Sequence, residues 1–105
     1  MTAGMHLRVR GVVSSCEKRT TTQGVPLLVV RMQDKASGQE VRASHAYPDS
    51  SAASHYAASN LARRLVGQVA ELDATNPRFR SSRLDCEAAH ISLPYETAST
   101  RKDLA

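Results

Sequence analysis

The sequence predicts an all-β domain with one helix, built as a five-stranded Greek-key barrel in which the helix lies between strands three and four. Five segments alternate apolar and polar residues, which is the period of a half-buried strand. One segment, between the third and fourth of these, instead repeats its apolar residues every four positions, as an amphipathic helix does. Because Gly, Pro, Asn and Asp residues interrupt the pattern between segments, each strand is short enough for a small barrel.

The first strand is predicted over Met5 to Glu17, and its two faces differ in chemistry. The residues on the inner face are Leu7, Val9, Gly11 and Val13. The residues on the outer face are His6, Arg8, Arg10 and Val12. This alternation predicts a half-buried strand with a basic outer side.

A polar turn at Lys18 to Gly24 precedes the second strand, which we expect to begin at Pro26 because proline cannot donate to a strand ladder. The inward side chains are Leu28, Val30 and Met32, and the outward ones are Leu27, Val29 and Arg31. The connection Gln33 to Gln39 then leads to a third strand over Glu40 to Tyr47. Its inward side chains are Val41, Ala43 and His45, and its outward ones are Arg42 and Ser44.

The small polar residues Pro48 to Ser51 stop the third strand and are suited to cap the helix that follows. The apolar stripe of this helix is Ala53, Ala57, Ala58, Leu61 and Leu65. Gly67 supplies a left-handed end, since glycine adopts positive φ without strain. We expect Tyr56 to pack the helix onto the barrel, and the alternative is that it stacks on a base.

The fourth strand has Ala70, Leu72 and Ala74 on its inner side and is expected to break at Thr75-Asn76-Pro77. The last strand runs from Leu84 to Leu93, and a one-residue shift of its pattern predicts a bulge near Ala89. We therefore place the barrel domain in residues 1–94. Residues 95–105 are expected to form a polar, flexible tail.

The segment Asn76 to Arg83 contains three arginines and the only phenylalanine of the chain, and no acidic residue. A basic aromatic hairpin suits a nucleic-acid backbone. Arg78, Arg80 and Arg83 are expected to neutralise phosphates. Phe79 offers a flat face to an unpaired base, and such a stack contributes about 1–3 kcal/mol. The alternative is an ordinary solvated turn.

Other basic and aromatic residues extend this predicted nucleic-acid site. The outward arginines are Arg8, Arg10, Arg31 and Arg42, the cations of the first loop are Lys18 and Arg19, and a further stacking candidate is Tyr47. A closed barrel is expected to gather the outward arginines, which come from three neighbouring strands, onto one basic surface. The alternative is that they serve solubility alone.

Composition agrees with an anionic partner and gives no sign of an enzyme. The net charge is +4 and the pI is near 9.5. Cys16 and Cys86, and the four histidines, show no metal-ligand spacing, so neither a metal site nor a cofactor is expected. No nucleotide-binding or hydrolase motif is present, and no catalytic residues are predicted. Without a long apolar segment or a signal peptide, we expect a cytoplasmic protein that does not enter a membrane.

This order of elements is that of the OB-fold, which binds oligonucleotides on its second and third strands and on the loops that join strands one to two and four to five. Three segments also resemble bacterial single-stranded DNA-binding proteins and their small relative, primosomal replication protein PriB. They are Gly11 to Pro26, with its Arg-Gly-Val-Val and Gln-Gly-Val-Pro sequences, Asn60 to Val69, and Ser82 to Leu93. Together the matches cover roughly residues 5–94.

The resemblance implies a homodimer or homotetramer that binds single-stranded DNA with little sequence preference, contacts other replication proteins, and acts in replication, repair or recombination. The chain differs from the family in having no tryptophan and in lacking its acidic, aromatic-tipped C-terminal peptide. A short, PriB-like protein fits that ending better.

Two other uses of the barrel are compatible with the sequence. RNA is one alternative ligand, because a stacking platform does not by itself distinguish the two sugars. The other is a protein-interaction module, in which the outward aliphatic residues Val12, Leu27 and Val29 would form a docking patch or a dimer interface.

Overall fold

The computed structural model describes residues 6–80 and 82–93, with only the backbone described at His6. Its elements, in chain order, are β1 (His6–Thr20), β2 (Pro26–Asp34), β3 (Glu40–Ala46), α1 (Ala52–Leu65), β4 (Val69–Arg80) and β5 (Arg83–Ser92). The predicted number of strands and the predicted position of the helix are both confirmed. The C-terminal tail, residues 95–105, lies outside the described residues.

The five strands form one closed barrel in the order β1-β2-β3-β5-β4, with β4 pairing back onto β1. All pairs are antiparallel except β3 and β5, which run parallel over a short ladder from Glu40 and Arg83 to Ser44 and Glu87. The chain enters β5 from the β4–β5 hairpin, so β5 is inserted between β3 and β4 rather than added at an edge.

The interior is filled by small and branched aliphatic side chains from every strand and from the helix. Its fully buried large side chains include Leu28, Met32, Leu65, Leu72 and Val41. The inward alternation predicted for β1, β2 and β4 is confirmed. Val29 differs from its prediction: it is only 4% exposed, although it lies outside the core cluster on the outer face of β2. It therefore contributes no exposed apolar surface to a docking patch with Val12.

The helix begins as the sequence predicts but buries a different stripe. Ser51 is the N-cap, and its hydroxyl oxygen accepts a hydrogen bond from the backbone N–H of Ser54 at 3.2 Å. The buried helix residues are Ser54, Ala58 and Leu65, whereas Ala57 faces solvent. Tyr56 is 71% exposed, so the expectation that it packs the helix onto the barrel is wrong.

Two predicted loops are partly strand. β1 continues to Thr20, so Lys18 and Arg19 are paired with β2 instead of lying in the β1–β2 loop. β4 continues through the predicted break to Arg80, because a bulge between Thr75 and Arg78 absorbs Asn76 at φ 51° and Pro77. The ladder also slips by one residue opposite Asp73 and Ala74, which confirms the bulge predicted at Ala89.

Candidate nucleic-acid interface

Five arginines converge on the outer face of β2, β3, β5 and β4, and we call this set the arginine cluster. Its members are Arg31, Arg42, Arg78, Arg80 and Arg83. The strand register explains the convergence. Arg31 of β2 is paired with Arg42 of β3, Arg42 with Asp85 of β5, and Asp85 with Arg78 of β4. Directly paired residues have neighbouring side chains, so one row of the sheet carries three guanidinium groups.

Asp85 is the only carboxylate inside this row, and it is shared by two members of the cluster. Arg83 donates to its two carboxylate oxygens at 2.7 and 3.4 Å, and Arg80 lies 3.4 Å away. Within residues 6–80 and 82–93, the side chains of Arg31, Arg42 and Arg78 have no ion pair. Three guanidinium groups are thus available to an anionic ligand, and like-charge neighbours on one row favour such a ligand.

Phe79 lies on the opposite face of the β4–β5 hairpin from the arginines. It is paired with Leu84, whose side chain is buried, and it is itself 74% exposed. Its ring borders a cavity of about 250 Å³ at the mouth of the barrel, lined also by Leu7, Val9 and Val41. Since successive side chains of a strand point to opposite faces, a ligand lying flat on the arginine cluster does not reach the Phe79 ring.

The other predicted site residues are spread over the barrel. Arg8 and Arg10 face outward on β1 opposite Asp73 and Glu71 of β4, and Arg10 lies 3.8 Å from the Glu71 carboxylate. Neither is paired with a member of the arginine cluster, both sit beside acidic neighbours, and Arg8 also lines the cavity that Phe79 borders. The expected single basic surface divides in two.

Three further candidates have partners within the protein. Lys18 donates from its Nζ to the Ser59 hydroxyl of the helix at 3.1 Å, and Arg19 pairs with Glu17 at 3.0 Å. Tyr47 is half-buried against the core, with its ring 5.1 Å from the His45 ring in an edge-on arrangement. Its burial raises its pKa, with the nearby Cys16 as a smaller cause. Each of these groups therefore already has a contact within the protein.

A groove continues from the arginine cluster along the outer face, where β3 and β5 stop pairing. The ladder ends at Ser44 and Glu87, shortly before the bulge at Ala89. The groove has a part of about 170 Å³ beside Arg78 and a part of about 420 Å³ beside Ala46. Ser44 and Glu87 line both parts, so they stand at its middle.

The two thiols face the interior and are poor nucleophiles. Burial raises the pKa of Cys16 to about 11. Burial, followed by the charges of Asp85 and Glu87, raises the pKa of Cys86 to about 11. Because the reactive form is the thiolate, neither residue is suited to covalent chemistry near neutral pH.

Among the described residues, no three His, Cys, Asp or Glu side chains are grouped closely enough to hold a metal ion. Within the same residues, the helix is too short and too polar to cross a membrane.

Three residues of this face, Asp85, Glu87 and Ser44, were not among the predicted site residues. A period-two pattern places Arg83, Asp85 and Glu87 on one face of β5, and this signal was present in the sequence. The pairing of Ser44 with Glu87 has no such signal in the sequence, because the parallel β3–β5 ladder joins segments that are far apart in the chain.

No family model, curated protein or solved structure matches this chain.

Proposed function

We propose that the protein is an OB-fold of the SSB/PriB type that binds single-stranded DNA with little dependence on sequence, and that the arginine cluster is its principal contact with phosphates. The strand order β1-β2-β3-β5-β4 and the helix between β3 and β4 support the assignment to the OB-fold. The basic face includes β2 and β3, the strands on which that fold binds oligonucleotides.

The observation that carries the proposal is the register of the outer face. It sets Arg31 and Arg42 side by side and brings Arg78 of the hairpin to the same row. Guanidinium groups bind phosphate oxygens through paired N–H donors, and such charge-assisted bonds are stronger than neutral ones. A flexible single strand can follow a row that curves with a small barrel more easily than a stiff duplex can.

The principal test is the double variant Arg31→Ala/Arg42→Ala, measured by fluorescence anisotropy with an oligo-dT probe across a salt series. We expect affinity at low salt to fall roughly tenfold, since two solvent-exposed charge contacts are removed and each contributes at most about 1 kcal/mol. The slope of log K against log salt should decrease by about 1.4, because each phosphate contact on a single strand contributes about 0.7.

The matched control is Lys35→Ala/Arg63→Ala, which removes two exposed cations that lie outside the arginine cluster. It should leave the salt slope nearly unchanged. Equal losses in the two variants would mean that only net charge matters and would remove the cluster as a site. Wild-type protein that binds no oligonucleotide at low salt would refute the proposed function.

We further propose that the protein acts in DNA replication, repair or recombination, and that it is a homodimer or homotetramer. Exposed Phe79 and Val12 support self-association, because large exposed apolar groups on strands commonly mark contacts. The mass of the protein in solution, with and without oligonucleotide, tests this part. Duplex DNA and RNA probes of the same sequence, run in the same salt series, test the choice of ligand.

A further inference from the structure

The groove beside the arginine cluster has room for one base and is lined in part by polar groups. The small residues Ala46 and Ala89 line its wide end with Leu27 beside them, and Ala88, whose side chain lies in the core, contributes backbone there. No aromatic ring lines either part of the groove, so a base there would be held mainly by its edge. Its narrow end opens beside Arg78, so a phosphate on the cluster and a base in the groove could belong to one nucleotide.

Glu87 is the charged acceptor at the middle of this groove. Its side chain is exposed, and among residues 6–80 and 82–93 it makes no hydrogen bond or ion pair. On either side of it the register places a hydroxyl residue, Ser44 on β3 and Thr75 on β4. The Thr75 hydroxyl is directed at the backbone carbonyl of Glu87, at 3.5 Å, which leaves the carboxylate itself unoccupied.

A carboxylate can only accept hydrogen bonds, so it discriminates between bases by the groups on their edges. Cytosine presents an N4 amino donor, and adenine and guanine also carry amino groups. Thymine and uracil present a carbonyl oxygen at the position of the cytosine amino group, which a carboxylate repels. Their one donor on this edge, N3–H, lies between two carbonyl oxygens, so a carboxylate that accepts from it also faces that repulsion. The Ser44 hydroxyl, which can donate as well as accept, suits the neighbouring ring nitrogen of cytosine.

We infer that Glu87 makes this groove a base-selective subsite, which favours bases with an exocyclic amino group over thymine and uracil. This inference rests on the proposed function and deepens it. Phosphate contacts supply most of the affinity, and the carboxylate of Glu87 adds a preference at one nucleotide per protomer. Binding is then tolerant of sequence but not wholly indifferent to it.

The test compares oligo-dC with oligo-dU at slightly alkaline pH, since these pyrimidines differ at the edge that Glu87 would contact and not in the 5-methyl group. Wild-type protein should bind oligo-dC roughly fivefold more tightly, the effect of about one net hydrogen bond. In Glu87→Gln the ratio should fall close to one, because an amide both donates and accepts and can satisfy either base. Affinity for both probes should rise, since a negative charge near the phosphates is lost.

Glu40→Gln is the matched control. Glu40 carries an exposed carboxylate. It lies opposite Arg83 in the β3–β5 register, at the other side of the arginine cluster and away from the groove. Its removal should raise affinity for both probes and keep their ratio. A second variant, Ala46→Leu, fills the wide end of the groove and should reduce the preference without changing charge.

The outcomes separate the two proposals. Equal binding of oligo-dC and oligo-dU by wild-type protein, or a ratio that survives in Glu87→Gln, would overturn the base-selective subsite and leave single-strand binding intact. Failure to bind either probe would overturn the proposed function and the inference with it.

Discussion

At the scale of single residues, Gly11 sets how closely β1 and β2 approach. A Cβ atom at this position would overlap the backbone carbonyl oxygen of Gln33 and would also approach the Met32 side chain. The residue is buried and lies on the inner face with Val9 and Val13. Glycine is needed here because of space, and no positive φ is involved.

We therefore expect Gly11→Ala to lower the free energy of unfolding by about 3 kcal/mol, the upper part of the usual range for overpacking. Urea denaturation followed by circular dichroism measures this. Gly38→Ala is the control, since a Cβ there meets nothing within 4 Å and only the φ of 74° is unfavourable. The control should cost about 1 kcal/mol. A loss at Gly11 no larger than the loss at Gly38 would contradict the close approach.

Asp85 shows at the same scale how one acidic residue organises several basic ones. Its ion pairs with Arg83 and Arg80 hold the base of the hairpin in one arrangement. Asp85 is partly buried in both pairs, and solvent still screens them enough that they contribute little to stability, about 0–1 kcal/mol. Their main effect is on the arrangement of charge. Arg80 and Arg83 partly neutralise the Asp85 carboxylate, and Arg31, Arg42 and Arg78, unpaired within the described residues, surround it.

At the scale of elements, the start of α1 depends on a carboxylate that precedes it. Asp49 accepts hydrogen bonds from the backbone N–H of Ser51 at 3.1 Å, from the Ser51 hydroxyl at 2.6 Å and from the Ser54 hydroxyl at 2.7 Å. These bonds hold the pKa of Asp49 below its usual value, and the bond from the Ser51 hydroxyl has the largest effect.

A lowered pKa in the folded state means that Asp49 stabilises the fold at pH values above about 4, its ordinary pKa, and that this contribution disappears as acid protonates the folded carboxylate. Asp49→Asn should therefore be less stable than wild type at neutral pH, and the difference should shrink in acid. Thermal melts at neutral pH and near pH 3 measure this.

Glu87→Gln serves as the control for that experiment, because it removes a carboxylate that makes no hydrogen bond in the described part of the chain. Its difference from wild type should show no comparable decrease in acid. If the melting temperature of Asp49→Asn remained as far below that of wild type in acid as at neutral pH, the carboxylate would not be the stabilising form.

The β4–β5 hairpin is an element with two chemically different faces. Arg78, Arg80 and Arg83 face the outer surface of the barrel, and Phe79 faces its mouth. The tip is tied to the β2–β3 connection by a hydrogen bond from Gln39 Nε2 to the Ser82 carbonyl oxygen at 2.6 Å. A nucleic-acid strand that contacted both Phe79 and the three arginines would have to pass around the hairpin.

At the scale of the whole molecule, the barrel closes through its shortest ladder. β3 and β5 pair over few residues, and His45 extends their connection with a bond from Nδ1 to the Ala88 carbonyl oxygen at 2.8 Å. The groove lies on the outer side of this junction, and Ala88 lines it. The His45–Ala88 hydrogen bond therefore holds in place both the closed barrel and one wall of the groove.

We expect His45→Ala to lower the free energy of unfolding by about 1 kcal/mol, the usual net contribution of a hydrogen bond. Hydrogen exchange should accelerate first for amides of the β3–β5 ladder. His55→Ala is the control, since it loses a similar bond, to the Gly24 carbonyl oxygen at 2.8 Å, outside the barrel junction. Faster exchange spread evenly over all strands in His45→Ala would contradict this local role.

The sequence by itself determined the elements. Alternation identified the inner faces of β1, β2 and β4, the capping residues located the start of α1, and a one-residue shift revealed the bulge at Ala89. These signals are local, because they depend on the period of one strand or helix and on the chemistry of one turn. Where local signals compete, as at Asn76 and Pro77, pairing with β5 prevailed and the strand continued.

Only the tertiary structure decided which side chains meet. Arg8 and Arg31 have the same outward pattern in the sequence, yet one faces Asp73 and the other faces Arg42. The insertion of β5 between β3 and β4 brought Asp85 and Glu87 to the basic face, although neither is near Arg42 or Ser44 in the chain. Strand order and register set these neighbours, and both depend on closing the whole barrel, which no single segment encodes.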